Sequence, residues 1–361
     1  MDQDSSLEIS DDTLKKILIK KNEMGFGDKS WDDWFNFLLG ITAGEDSTKG
    51  IIEKVFKKNN YEIYYDNWIK NFALNLDHVW NEHSARDLVN LTSQESSAVV
   101  IGRGPSLIKN NHLDLLKKSG YEGNIICSDG ILMTVLKAGI TPDKFEKFFV
   151  VTIDSQDHQK KFYEDDIVLQ YGNKIKCILA TTVSPSTYEA VKKARMERYW
   201  LHTLFDYDKG NSSFNYISAR MVKSKNHERG LPAIQTGGNV GTSSWVIGWS
   251  LLKSTTVCLI GLDMGYPSDI NLEQLNYHKF PEGIDKNSEA FKKAYPVIYN
   301  PEFNCECRQD PIFQYYCNAL KEFIFKTSDK IRTINATEGG ALFGDGIKCM
   351  RFKEFLHQHK T

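Results

Sequence analysis

Apolar positions in the first part of the chain recur at helical spacing. Leu14, Ile17 and Leu18 fall on one side of a helix, and Trp31, Trp34, Phe35 and Leu38 repeat that spacing within SWDDWFNFLL. Ser30 precedes this run as an N-cap, with Asp32 and Asp33 in the first turn, where negative charge suits the helix dipole. Further helices are expected over Lys49–Lys58 and Tyr64–Leu74. The aromatic stripes read as core packing. Residues 1–10 are expected to be a flexible polar tail, and residues 11–92 a small helical N-terminal domain.

The pattern changes at Ser97. Short apolar runs rich in β-branched residues predict strands over Ala98–Ile101, Asn124–Cys127, Phe148–Ile153, Ile175–Ala180, Thr256–Ile260 and Lys330–Thr333. Helical stretches lie between them, over Leu113–Lys118, Ile131–Ala138, Pro185–Arg195, Gly241–Leu252 and Ile312–Phe325. This alternation predicts an α/β fold over residues 95–357: a Rossmann-like, doubly wound, mainly parallel sheet. Continuously apolar strands imply helices on both faces. Two polar stretches, Asp206–Gly230 and Tyr266–Asn304, interrupt the alternation and read as lids or substrate loops.

Composition narrows the function classes. Hydrophobic residues make up 41% and charged residues 25%, which suits a folded protein. The net charge of -2, from 45 Lys+Arg and 47 Asp+Glu, provides no field for nucleic acid or an acidic membrane. Lys15-Lys16 and Lys192-Lys193 read as solvated helix faces. The longest apolar stretches, Trp245–Leu252 and Val257–Leu262, are too short to span a bilayer. The opening MDQDSSLEISDD lacks the pattern of a signal peptide, so a cytoplasmic location is expected. Of seven cysteines, Cys127, Cys177, Cys258 and Cys349 sit in apolar runs as reduced core residues. Cys305, Cys307 and Cys317 lack a fourth ligand at zinc spacing and read as free thiols.

Candidate chemistry gathers where strands end. Gly102-Arg103-Gly104-Pro105-Ser106-Leu107 follows the first strand of the alternation. Two glycines permit a tight turn close to a phosphate, the following helix N-terminus favours an anion, Ser106 offers a hydroxyl and Arg103 a charge. Ser128-Asp129-Gly130 and Asp154-Ser155 follow the next two strands. Asp129 has two readings, a helix cap and a ribose ligand; Asp154 is placed to hold Mg²⁺ or a substrate hydroxyl. Thr236-Gly237-Gly238-Asn239-Val240-Gly241-Thr242 forms a second anion-binding turn before a helix, or a glycine-rich entry demanded by packing. Asp263 ends another strand, and His278 in the next loop has the chemistry of an acid or base, although a lone loop histidine is more often simply exposed. Glu338, before Gly339-Gly340-Ala341, reads either as catalytic or as a turn cap.

These motifs, together with Gly139-Ile140-Thr141-Pro142-Asp143 and Asn335-Ala336-Thr337-Glu338-Gly339-Gly340, appear in an order that resembles the MptE-like superfamily. That superfamily includes archaeal 6-hydroxymethyl-7,8-dihydropterin diphosphokinases and the Maf motility-associated proteins, which resemble glycosyltransferases. The Gly102–Leu107 turn is also similar to that of bacterial sialyltransferases that use a CMP-sugar. The resemblance implies a transferase. The donor would be a CMP-, UDP- or GDP-sugar, or ATP, with Mg²⁺ as a possible cofactor. The acceptor would be a small molecule, glycan or protein. It places nucleotide phosphate and ribose at the first glycine turn, with a base near Asp154, Asp263 or His278. The diphosphokinase pattern carries two acidic residues after the third strand and a later histidine-rich segment. Here Thr152-Ile153-Asp154-Ser155 keeps one acid, and Ala180-Thr181-Thr182-Val183-Ser184-Pro185 has no histidine. The Maf-type pattern fits Gly237-Gly238-Asn239-Val240 and Asp263-Met264-Gly265-Tyr266 better, so glycosyl transfer leads. Diphosphoryl transfer and a non-catalytic nucleotide-binding role stand as alternatives.

Overall fold

The computed structural model describes residues 10–23, 31, 34, 48–58, 61–90, 96–204, 213–271 and 285–359. The chain divides into two compact units, Met1–Lys54 with Pro281–Ala294, and Val55–Phe280 with Tyr295–Thr361.

In the first unit, helix Asp11–Glu23 opens with Asp11 and Asp12 and closes with Lys20 and Lys21, matching the polarity of its dipole. Ser10 Oγ accepts from the Thr13 N–H at 3.3 Å, an N-cap bond. Trp31 and Trp34 are both helical and meet edge to face, their centroids 5.8 Å apart. The expected cap Ser30, with Asp32 and Asp33, lies outside the described residues.

The second unit is built on one sheet. Its strands are β1 (His83–Ser84), β2 (Ser97–Ile101), β3 (Asn124–Ser128), β4 (Phe148–Thr152), β5 (Lys176–Ala180), β6 (Glu197–Thr203), β7 (Ala233–Ile234) and β8 (Thr256–Ile260). After the short β9 (Tyr266–Pro267), β10 (Val297–Asn300) and β11 (Cys305–Arg308), the chain adds β12 (Arg332–Asn335) and β13 (Ile347–Cys349). The order is β1-β6-β5-β4-β3-β2-β8-β12-β13, with β7 beside the end of β6. Every described pairing in this sheet is parallel. β9, β10 and β11 form a separate antiparallel sheet. All residues of β3, β4 and β8 are buried, as required of strands covered on both faces. The α/β, doubly wound expectation therefore holds.

The expected boundary at residue 92 does not coincide with the division into units, because helix Tyr61–Asn81 and β1 belong with the sheet. Two asparagines one helical turn apart fix that helix. The Asn71 amide donates to the carbonyls of Ser155 and Thr182, both at 3.0 Å. The Asn75 amide donates to those of Thr181, at 3.0 Å, and Val183, at 2.8 Å. At the end of the helix, Glu82 accepts from Tyr188, Arg198 and Trp200. The helix thus lies over the C-terminal ends of β4 and β5.

Within the two polar stretches, Phe214–Met221 and Glu289–Ala294 are helices. Cys349, expected in the core, is half-buried on the edge strand β13, while Cys127, Cys177 and Cys258 are fully buried. No helix among the described residues is long and apolar enough to cross a membrane.

Candidate active site

Strand order decides which loops meet. β4, β3, β2 and β8 are neighbours, so the segments leaving their C-terminal ends lie side by side, at the edge where open α/β sheets take ligands. Asp154, Asp129, Gly102 and Gly261 stand in these segments. From β2 the chain winds outward to β6 and then returns to β8, making β2 and β8 the switch point.

The crevice at that point is filled by the protein. The Gly102 N–H donates to the Ile260 carbonyl at 2.9 Å, and the Gly104 N–H to that of Gly261 at 2.7 Å. A Cβ on Gly102 would lie 2.4 Å from the Gly261 oxygen, and one on Gly104 1.8 Å from Oδ2 of Asp263. The glycines thus allow the two loops to close on each other. Ser106 donates its hydroxyl to Oδ2 of Asp263 at 2.7 Å and its N–H to Oδ1 at 3.3 Å. The helix that begins there, Ser106–Lys109, is one turn long, and Pro105 at its N-cap offers no side-chain cap. So the donors of Gly102, Gly104 and Ser106 serve β8 and Asp263. Burial lifts the Asp263 carboxyl to about 6, against the opposing bonds from Ser106. Gly340 completes the enclosure with φ +73°, and the Ala341 N–H donates to the Asp263 carbonyl at 2.8 Å.

The second glycine turn is likewise spent on its own helix. Asn239 caps Val240–Ser250 by accepting from the Thr242 N–H at 2.9 Å, and its amide donates to Thr242 Oγ1 at 2.9 Å. Gly237 and Gly238 have φ of +58° and +83°, and a Cβ on Gly238 would meet the Tyr316 ring at 2.4 Å. Packing demands these glycines. Glu338 accepts from the Phe352 N–H at 3.0 Å and pairs with buried His112 at 3.2 Å, so it is a cap. His278 lies outside the described residues.

What remains at the edge is a cluster on β2, β3 and β4. Asp129 accepts from Thr152 Oγ1 at 2.5 Å and from the Gly130 N–H at 2.7 Å. Burial raises its carboxyl to about 6; the Asp154 charge adds to the rise, and the Arg103 guanidinium opposes it. Asp154 is half-buried, accepts from the Gln156 N–H at 3.1 Å and Gln159 Nε2 at 2.6 Å, and is also raised by burial. A Cβ on Gly130 would lie 3.5 Å from Cδ of Arg103 and 3.6 Å from the Phe162 ring. Arg103 therefore lies over the loop after β3, beside Gly130. The arrangement is a cation beside two carboxylates of raised proton affinity, suited to anchoring a phosphate and taking a proton.

Thr152, Gln159, Phe162, Asn71 and Asn75 are the supporting residues that the sequence reading did not single out. The available signal was a pair of asparagines four residues apart within an apolar helix.

The family profile described as "6-hydroxymethylpterin diphosphokinase MptE-like" matches residues 70–269. The match starts within helix Tyr61–Asn81 and includes β8. Among solved structures, the chain is similar to the Maf glycosyltransferase of Magnetospirillum magneticum AMB-1, with 15% identity and a TM-score of 0.49. That similarity covers 75% of this chain and 35% of the other, so the chain spans about a third of that protein's length. No curated protein matches the chain.

Proposed function

Since the chain belongs to the MptE-like family, we propose that it is a nucleotide-dependent transferase whose donor phosphates lie between Arg103 and the Asp129–Asp154 pair. The observation that carries this reading is the convergence of one guanidinium and two carboxylates on adjacent strand ends. It moves the phosphate site from the glycine turn to the side chain within that turn. Glycosyl transfer from a nucleotide sugar is the leading reaction. The segment after β5 has no histidine, and its carbonyls are held by Asn71 and Asn75.

In that reaction Asp154 is the base. Its raised proton affinity suits it to take the proton of an acceptor hydroxyl. The acceptor oxygen bonds to the sugar's anomeric carbon as the bond to the donor phosphate breaks, and the electron pair leaves with the nucleotide. Arg103 neutralises the departing phosphate. Mg²⁺ fits the donor set, since it binds through one or two carboxylates plus substrate phosphates, and Asp129 and Asp154 are hard oxygen ligands. Among the described residues no group of three acidic, histidine or cysteine side chains is placed to hold a metal, so the remaining ligands would come from substrate and water. The ion would supply charge neutralisation on the phosphates.

A second reading, diphosphoryl transfer from ATP to a hydroxymethylpterin, is favoured by Asp129. It brings a second carboxylate beside Asp154, which the run Thr152–Ser155 lacks. Calorimetric titration with CMP, UDP, GDP, ADP and ATP, each with and without Mg²⁺, tests the proposal. Binding of CMP, UDP or GDP that is lost in Arg103→Gln supports glycosyl transfer. Mg²⁺-dependent ATP binding, with AMP release on adding hydroxymethyl-dihydropterin, supports the second reading. Absence of binding by every nucleotide refutes both.

A further inference from the structure

Helix Phe214–Met221, after β6, is fixed to the sheet by its inner side. The buried Ser218 hydroxyl bonds to Nε2 of His202 at 2.8 Å, and Phe214 meets the Phe72 ring edge to face, their centroids 5.6 Å apart. A surface helix ordinarily keeps its apolar row on that side and polar residues on the other. Here the outer side is apolar as well. Ile217 and Met221, one turn apart on the same row, are 44% and 38% exposed. Tyr216 beside them is also exposed, with the Arg220 guanidinium over its ring at 4.5 Å.

Trp80, at the end of helix Tyr61–Asn81, extends this row. Its indole N–H donates to the Met221 carbonyl at 2.7 Å, while the residue stays 39% exposed. The indole's one donor is spent within the protein, so the part of the ring that meets solvent is apolar. The Trp80 carbonyl accepts from Ser224 Oγ at 3.4 Å and from Asn226 Nδ2 at 3.1 Å. These bonds hold the turn after Met221 against Trp80, and Lys223 and Lys225, which alternate with the bonded residues, are exposed. Over Arg220–Arg229 the exposed charges are four cations, with Arg220 and Arg229 at the ends, and one acid, Glu228. Asp77, three residues before Trp80, is a second acid nearby.

Exposed apolar side chains standing singly are ordinary, whereas a contiguous ridge of them marks an interaction surface. The residues beside the ridge select its partner. Lysine is depleted where proteins contact one another, but accompanies tryptophan and aliphatic residues on surfaces that enter lipid. The net charge of -2 gives the whole chain no attraction to an acidic surface, so the local excess of cations is what supplies it. We infer that the ridge of Trp80, Ile217 and Met221 docks on an anionic membrane surface. The apolar side chains enter the boundary between headgroups and acyl chains, and Lys223 and Lys225 meet the lipid phosphates. The surface stands whether or not the transferase reading holds.

The test is co-sedimentation of the full chain with vesicles of phosphatidylcholine alone and of equal parts phosphatidylcholine and phosphatidylglycerol. Wild type, Ile217→Ser/Met221→Ser, Lys223→Gln/Lys225→Gln and Phe325→Ser are compared. Phe325 is an exposed apolar residue on the helix before β12, far along the sheet from β6. All the replaced side chains are exposed, so the variants keep the fold, which circular dichroism checks. Wild type is expected to bind the anionic vesicles and not phosphatidylcholine alone. Each double variant should bind at least about tenfold more weakly, and Phe325→Ser as wild type does. Brominated acyl chains should quench tryptophan fluorescence in wild type, and most of that quenching should vanish in Trp80→Phe. Absence of binding to anionic vesicles, equal binding to both compositions, or equal binding by all variants overturns the inference. A lipid-free dimer that Ile217→Ser/Met221→Ser dissociates overturns it in favour of a contact between copies of the chain.

Discussion

Ser106 gives both of its hydrogen-bond donors to one carboxylate, that of Asp263, 157 positions away in the chain. The glycine turn most suggestive of a nucleotide site is thereby bonded to a strand end of its own sheet. Its arginine remains near the Asp129 carboxylate at the end of the next strand.

This pairing makes Asp263 a pH-dependent element of stability. Its folded-state value of about 6 lies above the ordinary 3.8. The folded chain therefore holds a proton that the unfolded chain releases. The stability is complete below about pH 4 and is lost as pH rises through about 6. Asp263→Asn cannot ionise, so relative to wild type it should gain up to about 3 kcal/mol between pH 4 and pH 7. Thermal unfolding of both proteins across that range reads the difference. A gap that stays constant with pH would show that Asp263 is not the titrating group.

Gly104 tolerates no side chain. A methyl group there meets the Asp263 carboxylate and the Gly261 carbonyl, the latter at 2.7 Å. Gly104→Ala should cost about 1–3 kcal/mol, the usual range for overpacking. A lowered urea midpoint with unchanged slope is the expected signature, and an unshifted midpoint would mean that the two loops are not closed on each other.

Asn75 is fully enclosed, at 1% exposure, and serves two carbonyls. Asn75→Ala strands both, at about 1–3 kcal/mol for each unsatisfied group. Asn81→Ala, on the exposed end of the same helix, should shift stability by no more than about 0.5 kcal/mol. Denaturant unfolding of the two variants separates the roles, and similar effects would count against Asn75 fixing the helix to the sheet.

Arg103→Gln should leave the fold intact and weaken nucleotide binding by about tenfold to a hundredfold, as expected for one charge-assisted bond to phosphate. Asp129→Asn, by contrast, should preserve nucleotide affinity in the absence of Mg²⁺ and lower it when Mg²⁺ is present. Titration calorimetry checks both, and unchanged affinity in Arg103→Gln would remove Arg103 from the site.

The sheet's central strands were legible because they are continuous apolar runs: β2, β3, β4, β5 and β8 fall within a residue or so of their expected limits. β12 starts two residues later than its apolar run suggested. β6 was missed because ERYWLHT mixes charge, histidine and aromatics, and its burial depends on partners that sequence alone does not place, Glu82 among them. The carboxylates Asp129 and Asp154 were recognised one by one. Their proximity was hidden because it depends on β3 and β4 being neighbours. The glycine turns were recognised as tight turns, but nothing local shows that a carboxylate 157 residues away receives the Ser106 donors.

The pairing of β2 with β8 also sets an order of events during synthesis. Strands β2 to β6 pair with sequence neighbours and can assemble as the chain leaves the ribosome. β2, the first of them, keeps one edge unpaired until residues 256–260 have been made. That long-range closure carries the largest loop entropy in the sheet's centre and is the slow step expected of such a topology. A nascent chain halted before β8 would expose the backbone of β2 to any passing strand, so protection of that edge, by a chaperone or by speed, is a requirement built into the strand order.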